Sequence, residues 1–181
     1  MALVDGSAMN WGRWTSAASI TDPIIGTYNP QSGVPFVVGN SNVTLPTSGT
    51  FLYSFAGGPN PTSATGTIGS FTGGAFNVTF GSTSGSLSVA SPLTLSVGGA
   101  GYSLGSCAGG CTFANSSTVA GNMVLTGNCS GGPCLTGATV SSNAAGIFVG
   151  PQGAGLAVAG NINTTSGPST PTVTFAAGFK R

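Results

Sequence analysis

Leu93-Thr-Leu-Ser-Val-Gly-Gly-Ala-Gly-Tyr-Ser-Leu104 decides the fold class of this chain. Leu93, Leu95 and Val97 alternate with Thr94 and Ser96, Gly98-Gly99 offers a tight turn, and Tyr102 and Leu104 follow it. A period of two belongs to a strand with one buried and one hydrated face, and two such runs about a Gly-Gly pair form a hairpin. The pattern extends upstream through Leu87 and Val89, and through Phe76, Val78 and Phe80, which oppose Asn77 and Thr79. Phe51, Tyr53 and Phe55 oppose Leu52 and Ser54 between Pro46 and Gly57-Gly58-Pro59. Downstream, 119–125, 138–140 and 147–149 read as strands, and Gly150-Pro-Gln-Gly153 as a turn. Leu156, Val158 and Ile162 continue beyond that turn, and Val173, Phe175, Ala177 and Phe179 make a final strand. Helical periodicity is nearly absent. About eight to ten short strands at this spacing predict an all-β fold, an antiparallel sandwich or barrel.

The first forty residues differ. Trp11-Gly-Arg-Trp14 is followed by Pro23, Pro30 and Pro35, which reads as an opening strand over 10–14 and then a long irregular loop covering a barrel end. The chain thus divides into an N-terminal strand with an extended arm, 1–40, and a barrel domain, 41–181. The two tryptophans are expected to share one face of their strand. They are either core and plug residues or, together with Tyr28, an aromatic platform for a sugar or an apolar ligand.

Charge is the strongest compositional signal. Only 3% of the 181 residues are charged, against roughly 25% in an ordinary soluble protein. The whole inventory is Asp5, Arg13, Asp22, Lys180 and Arg181. Nucleic-acid binding and a polybasic membrane patch both need several cations on one face, and neither is expected. No apolar run approaches the roughly 20 residues of a transmembrane helix. The opening residues lack the three regions of a signal peptide, so an exported protein would need a signal upstream of them. A surface built from Ser, Thr, Asn and Gln carries no charge repulsion and tolerates contact with copies of itself.

Four cysteines form two close pairs, Cys107 with Cys111 and Cys129 with Cys134. Three connectivities are open. The short Gly-rich loops favour the two local bridges, each clipping a hairpin end; zinc binding and free thiols are the other readings, and the spacing and the absence of His weigh against zinc.

The segment Ala145-Gly-Ile-Phe-Val-Gly-Pro-Gln-Gly-Ala-Gly-Leu-Ala-Val-Ala-Gly160 resembles the strand-turn-strand signature near the end of transferrin-binding-protein-B-like barrels. Together with Asn10-Trp-Gly-Arg-Trp14 and Leu45-Pro-Thr-Ser-Gly-Thr-Phe-Leu-Tyr53, it is similar to the C-terminal barrel that follows FecR-type domains in Gram-negative bacterial proteins. The resemblance implies an eight-stranded antiparallel barrel displayed at or beyond the outer membrane, in the setting of a module that binds a host protein. Gly146, Phe148, Gly150 and Pro151 match the hairpin signature and are expected to be structural. The chain departs from the family in having no lipidation cysteine at its start and no charged loops, so transferrin binding itself does not carry over.

Catalysis is not expected. There is no His and no Glu, and the two aspartates both lie near the N-terminus, so a Ser-His-Asp or Cys-His arrangement cannot be assembled. Metal catalysis lacks ligands, the Gly-rich runs do not follow the phosphate-loop pattern into a helix, and no cofactor is expected. Asn42, Asn77, Asn115, Asn128 and Asn163 open glycosylation-type triplets, as a chain this rich in Asn, Ser and Thr does by chance. Three readings follow. The first is an exported or cell-surface barrel, outer-membrane associated through an anchor or region outside these residues, that binds a protein, glycan or apolar ligand. The second is a structural subunit that assembles with itself into an extracellular filament or surface layer. The third is a small outer-membrane β-barrel.

Overall fold

The computed structural model of the chain describes residues 2–4, 7–14, 20–22, 26–28, 33–40, 43–115, 119–134, 137–165 and 172–181. The N-terminal strands are β1 (Ala2–Val4), β2 (Ser7–Trp14), β3 (Ile20–Asp22), β4 (Gly26–Tyr28) and β5 (Val34–Gly39). They are followed by β6 (Gly49–Gly57), β7 (Thr62–Ser63), β8 (Ser70–Phe80), β9 (Ser84–Val97), β10 (Ala100–Cys107) and β11 (Cys111–Ala114). The last four are β12 (Val119–Ser130), β13 (Ala138–Val149), β14 (Gly155–Thr164) and β15 (Val173–Lys180). No α-helix occurs among the described residues.

Eight of these strands close into an antiparallel barrel. From β6 through β8, β9, β10, β12, β13 and β14 to β15 each pairs with the next, and β15 returns to β6. The strands run longer than the apolar runs suggest, because hydroxyl-rich stretches such as 84–91 continue the ladder of β9. β10 and β11 both pair β9 and are one strand interrupted by the loop between Cys107 and Cys111.

Alternation places the core inside. Tyr53, Phe76, Val78, Phe80, Leu93, Leu95, Tyr102, Leu104, Leu125, Phe148, Leu156, Val158, Phe175 and Phe179 point inward and are buried. An eight-stranded barrel is just wide enough for side chains to fill it, and here they do. At one end the ring of Phe148 meets Tyr53, Phe80 and Phe113 at centroid distances of 6.2, 5.3 and 4.9 Å. Leu45, in the segment leading from β5 to β6, joins this cluster and plugs that end. The Asn115 amide holds the plug by donating to the Pro46 and Gly81 carbonyls.

The N-terminal segment corrects one expectation. Where it is described, the loop foreseen after Trp14 is largely strand, and β1, β2 and β5 form a sheet on the outer wall of the barrel. The outward residues of β14 and β15 are small where this sheet lands: Gly155, Ala157, Ala176 and Gly178. Met9 and Trp11 fill the space so left, and a Cβ on Gly178 would come within 2.7 Å of the Met9 sulfur. Both faces of β14 and β15 are buried as a result, which is rare for an antiparallel wall. Pro35 sits in β5, an edge of the small sheet, where a missing N–H is tolerated.

Two outcomes follow from this packing. Phe148→Ala empties the centre of the aromatic cluster and is expected to cost about 3–5 kcal/mol, read as a lower urea midpoint at unchanged slope. Tyr53, whose hydroxyl donates to the Gly153 carbonyl, has its pKa raised by burial to about 12, with Arg181 opposing the shift. The folded pKa lies above the unfolded value of about 10, so this contribution is complete below pH 10 and is lost as the pH rises towards 12. Alkaline unfolding curves are expected to show that loss, and Tyr53→Phe to flatten it.

Candidate binding surfaces

The two cysteine pairs are bridged locally, Cys107 with Cys111 and Cys129 with Cys134. The first clips the exposed loop 108–110, and the second closes the β12 end of the turn towards β13. No group of three or more His, Cys, Asp or Glu that could hold a metal occurs among the described residues. Gly146, Phe148, Gly150 and Pro151 lie in the β13–β14 hairpin. Gly150 and Gly153 take φ of 76° and 65°, backbone that a side chain disfavours, and the turn between them is a single 3-10 turn over Pro151–Gly153. These four residues shape a barrel corner, and Phe148 is central to the core.

Trp11 and Trp14 do not share a face. Three positions separate them, and in a strand an odd separation puts side chains on opposite sides. Trp11 faces the barrel, its ring against Gly57 and Gly178, and is part of the interface already described. Trp14 points to the outside and is 63% exposed. Tyr28 ends β4, and its side chain lies outside the described residues.

Trp14 has partners that sequence reading missed. In the β2–β5 ladder Asn10 lies opposite Val38, Gly12 opposite Phe36 and Trp14 opposite Val34, all on the outward face. The Phe36 ring lies over Gly12, where a Cβ would meet its Cζ at 2.8 Å. That position brings it to 4.9 Å from the Trp14 ring, with the two planes 36° apart. Val38, 49% exposed, and the exposed Asn10 complete a platform of two aromatic rings, an aliphatic edge and one amide. Arg13, the charged residue next in sequence, projects to the other side and donates to the Asn60 carbonyl at 2.9 Å. Phe36 is invisible to a sequence pattern because its place beside Trp14 depends on cross-strand register.

The opposite wall is polar. Thr94, Ser103, Asn128 and Thr139 are register partners across β9, β10, β12 and β13, and the row is extended by hydroxyl contacts from Thr72 to Thr94 at 2.6 Å and between Thr139 and Thr165 at 2.8 Å. The adjacent row runs Ser70, Ser96, Gly101, Ser130, and over Gly101 the wall carries an open depression of about 350 Å³. Another depression, of about 560 Å³, borders the plug near Leu45 and Asn115. The Asn115 amide there is already committed to the plug.

Compared with family models, with curated proteins and with solved structures, the chain matches none.

The local bridges close loops of about five residues, for which chain entropy gives about 2 kcal/mol each. Cys107→Ser with Cys111→Ser, and separately Cys129→Ser with Cys134→Ser, are expected to lower unfolding free energy by that amount in urea titrations. A zero effect from either pair would remove its structural role.

Proposed function

We propose that this chain is a non-catalytic binding module, displayed outside the reducing cytosol, that takes a neutral saccharide on the Trp14–Phe36 platform. The observation that carries the reading is the exposure of Trp14 beside Phe36 on the β2–β5 strand pair. Scattered exposed apolar residues need no explanation, but a contiguous aromatic face stripped of charge is a binding surface in ordinary experience. The C–H face of a pyranose carries slight positive potential and stacks on the negative face of an aromatic ring. Its hydroxyls are then within the span of a neighbouring amide such as Asn10. A charged ligand finds no counter-charge on this face.

Other parts of the molecule support the same reading. The barrel interior is filled by its own side chains, which leaves an apolar ligand no berth there. The two bridges suit an oxidising compartment and hence export, the cell-surface setting implied by the resemblance to transferrin-binding-protein-B-like and FecR-associated barrels. The outer-membrane reading asks for an apolar outward band, whereas Thr72, Thr94, Ser103 and Asn128 face outward.

Self-assembly is the second reading. Exposed Leu52 and Ile68 on a surface with almost no charge favour it. Light scattering of purified protein separates the two, since polymers at micromolar concentration support assembly and a monomer supports the binding module.

Retention on insoluble cellulose, starch, xylan and chitin tests the saccharide reading directly. Binding to at least one is expected, with Trp14→Ala weakening it about tenfold, or about 1.4 kcal/mol, at unchanged melting temperature. Failure to bind all four, or full binding by the Trp14→Ala protein, would overturn it.

A further inference from the structure

β9 changes partner along its length. One half pairs β10, from Val97 opposite Ala100 to Leu93 opposite Leu104, and the other pairs β11, from Leu87 opposite Cys111 to Ser84 opposite Ala114. Between them residues 88–92 follow β8 on one side and have no ladder partner on the other among the described residues. The facing stretch, 105–110, holds one residue more. Gly105 absorbs it, since the β10–β12 register also slips there, between Leu104 and Ser106. Past that slip the two halves are in step. Continued towards β10, the β11 ladder would set Gly110 opposite Ser88, Gly109 opposite Val89, Ala108 opposite Ala90 and Cys107 opposite Ser91. Alternation is kept as well, with Cys107 and Gly109 on the inward side beside buried Cys111 and Phe113.

What keeps this ladder open is the bridge. Four steps along a strand span about 13 Å. The Cα atoms of Cys107 and Cys111 are 5.8 Å apart, so the bridge and an extended strand over 107–111 cannot coexist. With the bridge made, 108–110 stand out as an exposed loop, in which Gly109 and Gly110 take φ of 72° and 70° and a Cβ on either would meet nothing within 4 Å. Both ends of the stretch are already held in strand positions. Cys107 lies opposite Leu125 and the Ala108 N–H donates to the Val124 carbonyl at 2.8 Å, while Cys111 lies opposite Leu87. The second bridge interrupts no strand, because Cys129 already pairs Tyr102 on one side and Ala138 on the other.

We propose that the Cys107–Cys111 bridge is a thiol-sensitive conformational switch in the barrel wall. Bridged, it holds β10 and β11 apart; reduced, it lets them join into one strand that closes along residues 88–91. The reductant is a dithiol. One of its thiolates attacks a bridge sulfur, forming a mixed disulfide and releasing the other cysteine as a thiolate that takes up a proton. The second thiol then displaces the protein sulfur, and the reductant leaves as a cyclic disulfide, so two electrons and two protons pass to the cysteines. Cys111, Cys129 and Cys134 are buried and Cys107 is half-buried, which makes this bridge the more accessible of the two. Ordering Gly109 and Gly110 as strand offsets the new ladder bonds, so the loss of the bridge still sets the overall stability and the change is one of local pairing. Bridged, the wall keeps a short unpaired strand edge with an exposed loop beside it; reduced, it loses both. None of this depends on the saccharide reading.

The experiment is NMR of the full chain in three forms: oxidised, reduced with dithiothreitol, and carrying Cys107→Ala with Cys111→Ala, which opens this bridge and leaves the other. The two opened forms are expected to show a backbone contact between Gly109 and Val89, with amide exchange over 107–110 slowed about tenfold by the new ladder. The oxidised protein is expected to show neither. Cys129→Ala with Cys134→Ala keeps the bridge at Cys107 and is expected to match the oxidised protein. The Gly109–Val89 contact in either opened form, on a barrel whose β13 and β14 amides stay protected, carries the switch. Its absence from both opened forms, or its presence in a protein that keeps the bridge, would overturn it. So would loss of the β13 and β14 protection in both opened forms, since the bridge would then hold the barrel together and not the gap open.

Discussion

The ladder between β15 and β6 is the constraint on which the rest of the molecule hangs, because it joins the first and last strands of the barrel. It is brief: Phe179 pairs Phe55 and Lys180 pairs Ser54, with an irregularity at Gly178, and β7 then takes over the edge of β15 at Val173 and Thr174. Left open, the sheet would present two long edges of unpaired N–H and C=O groups. Proteins usually blunt such edges with lysine, glutamate or proline. Between Pro23 and Phe179 this chain has no charged residue to spend on that task, so closure is the device that remains. The contacts that hold it, Phe55 and Phe76 on Phe179 at 6.0 and 4.9 Å, are core contacts, so the same rings fill the barrel and seal it.

Closure dictates where function resides. Among the described residues the interior is packed with Phe, Leu and Val side chains, and the outer wall is the larger surface the barrel offers to another molecule. That wall is divided. Over β14 and β15 its small residues receive the N-terminal sheet, which buries Met9, half-buries Trp11 and turns Trp14 and Phe36 outward. Across β8, β9, β10, β12 and β13 it stays bare and carries rows of Ser, Thr and Asn. The aromatic platform thus exists because a second layer covers one side of the barrel, and the hydroxyl wall because none of the described residues covers the other.

The barrel core was legible in the sequence, since inward residues such as Phe76, Val78 and Phe80 announce themselves by alternation. The local disulfide pairing was legible for a related reason, as hairpin ends keep sequence neighbours together. Strand lengths were not, because the small hydroxylic residues around Leu87 and Val89 carry little pattern of their own, and the full extent of β9 shows only in its pairing to Phe76–Phe80. The strand at β5 was hidden by Pro35. Trp11 and Trp14 were read onto one face although their odd separation forbids it, and parity alone would have given the correct answer. The alternation of large and small residues in Leu156-Ala-Val-Ala159 and Phe175-Ala-Ala-Gly-Phe179 carried a usable signal: small residues on an outward face admit a covering layer. Phe36 had none, since its role depends on the residue across the ladder.

A surface almost without charge also sets what kind of recognition is attainable. Coulombic steering is weak, so encounter proceeds near the rate of neutral partners, and discrimination falls to shape and to hydrogen-bond geometry. Hydrogen bonds on an open wall exchange with water at small net gain, about 1 kcal/mol each. One hydroxyl row therefore binds weakly, and an aromatic platform of two rings gives only somewhat more. Useful affinity from such elements requires that they act together, either within one chain through two separated contacts or across many copies displayed side by side. The scarcity of charge that makes each contact weak also removes charge repulsion between neighbouring copies.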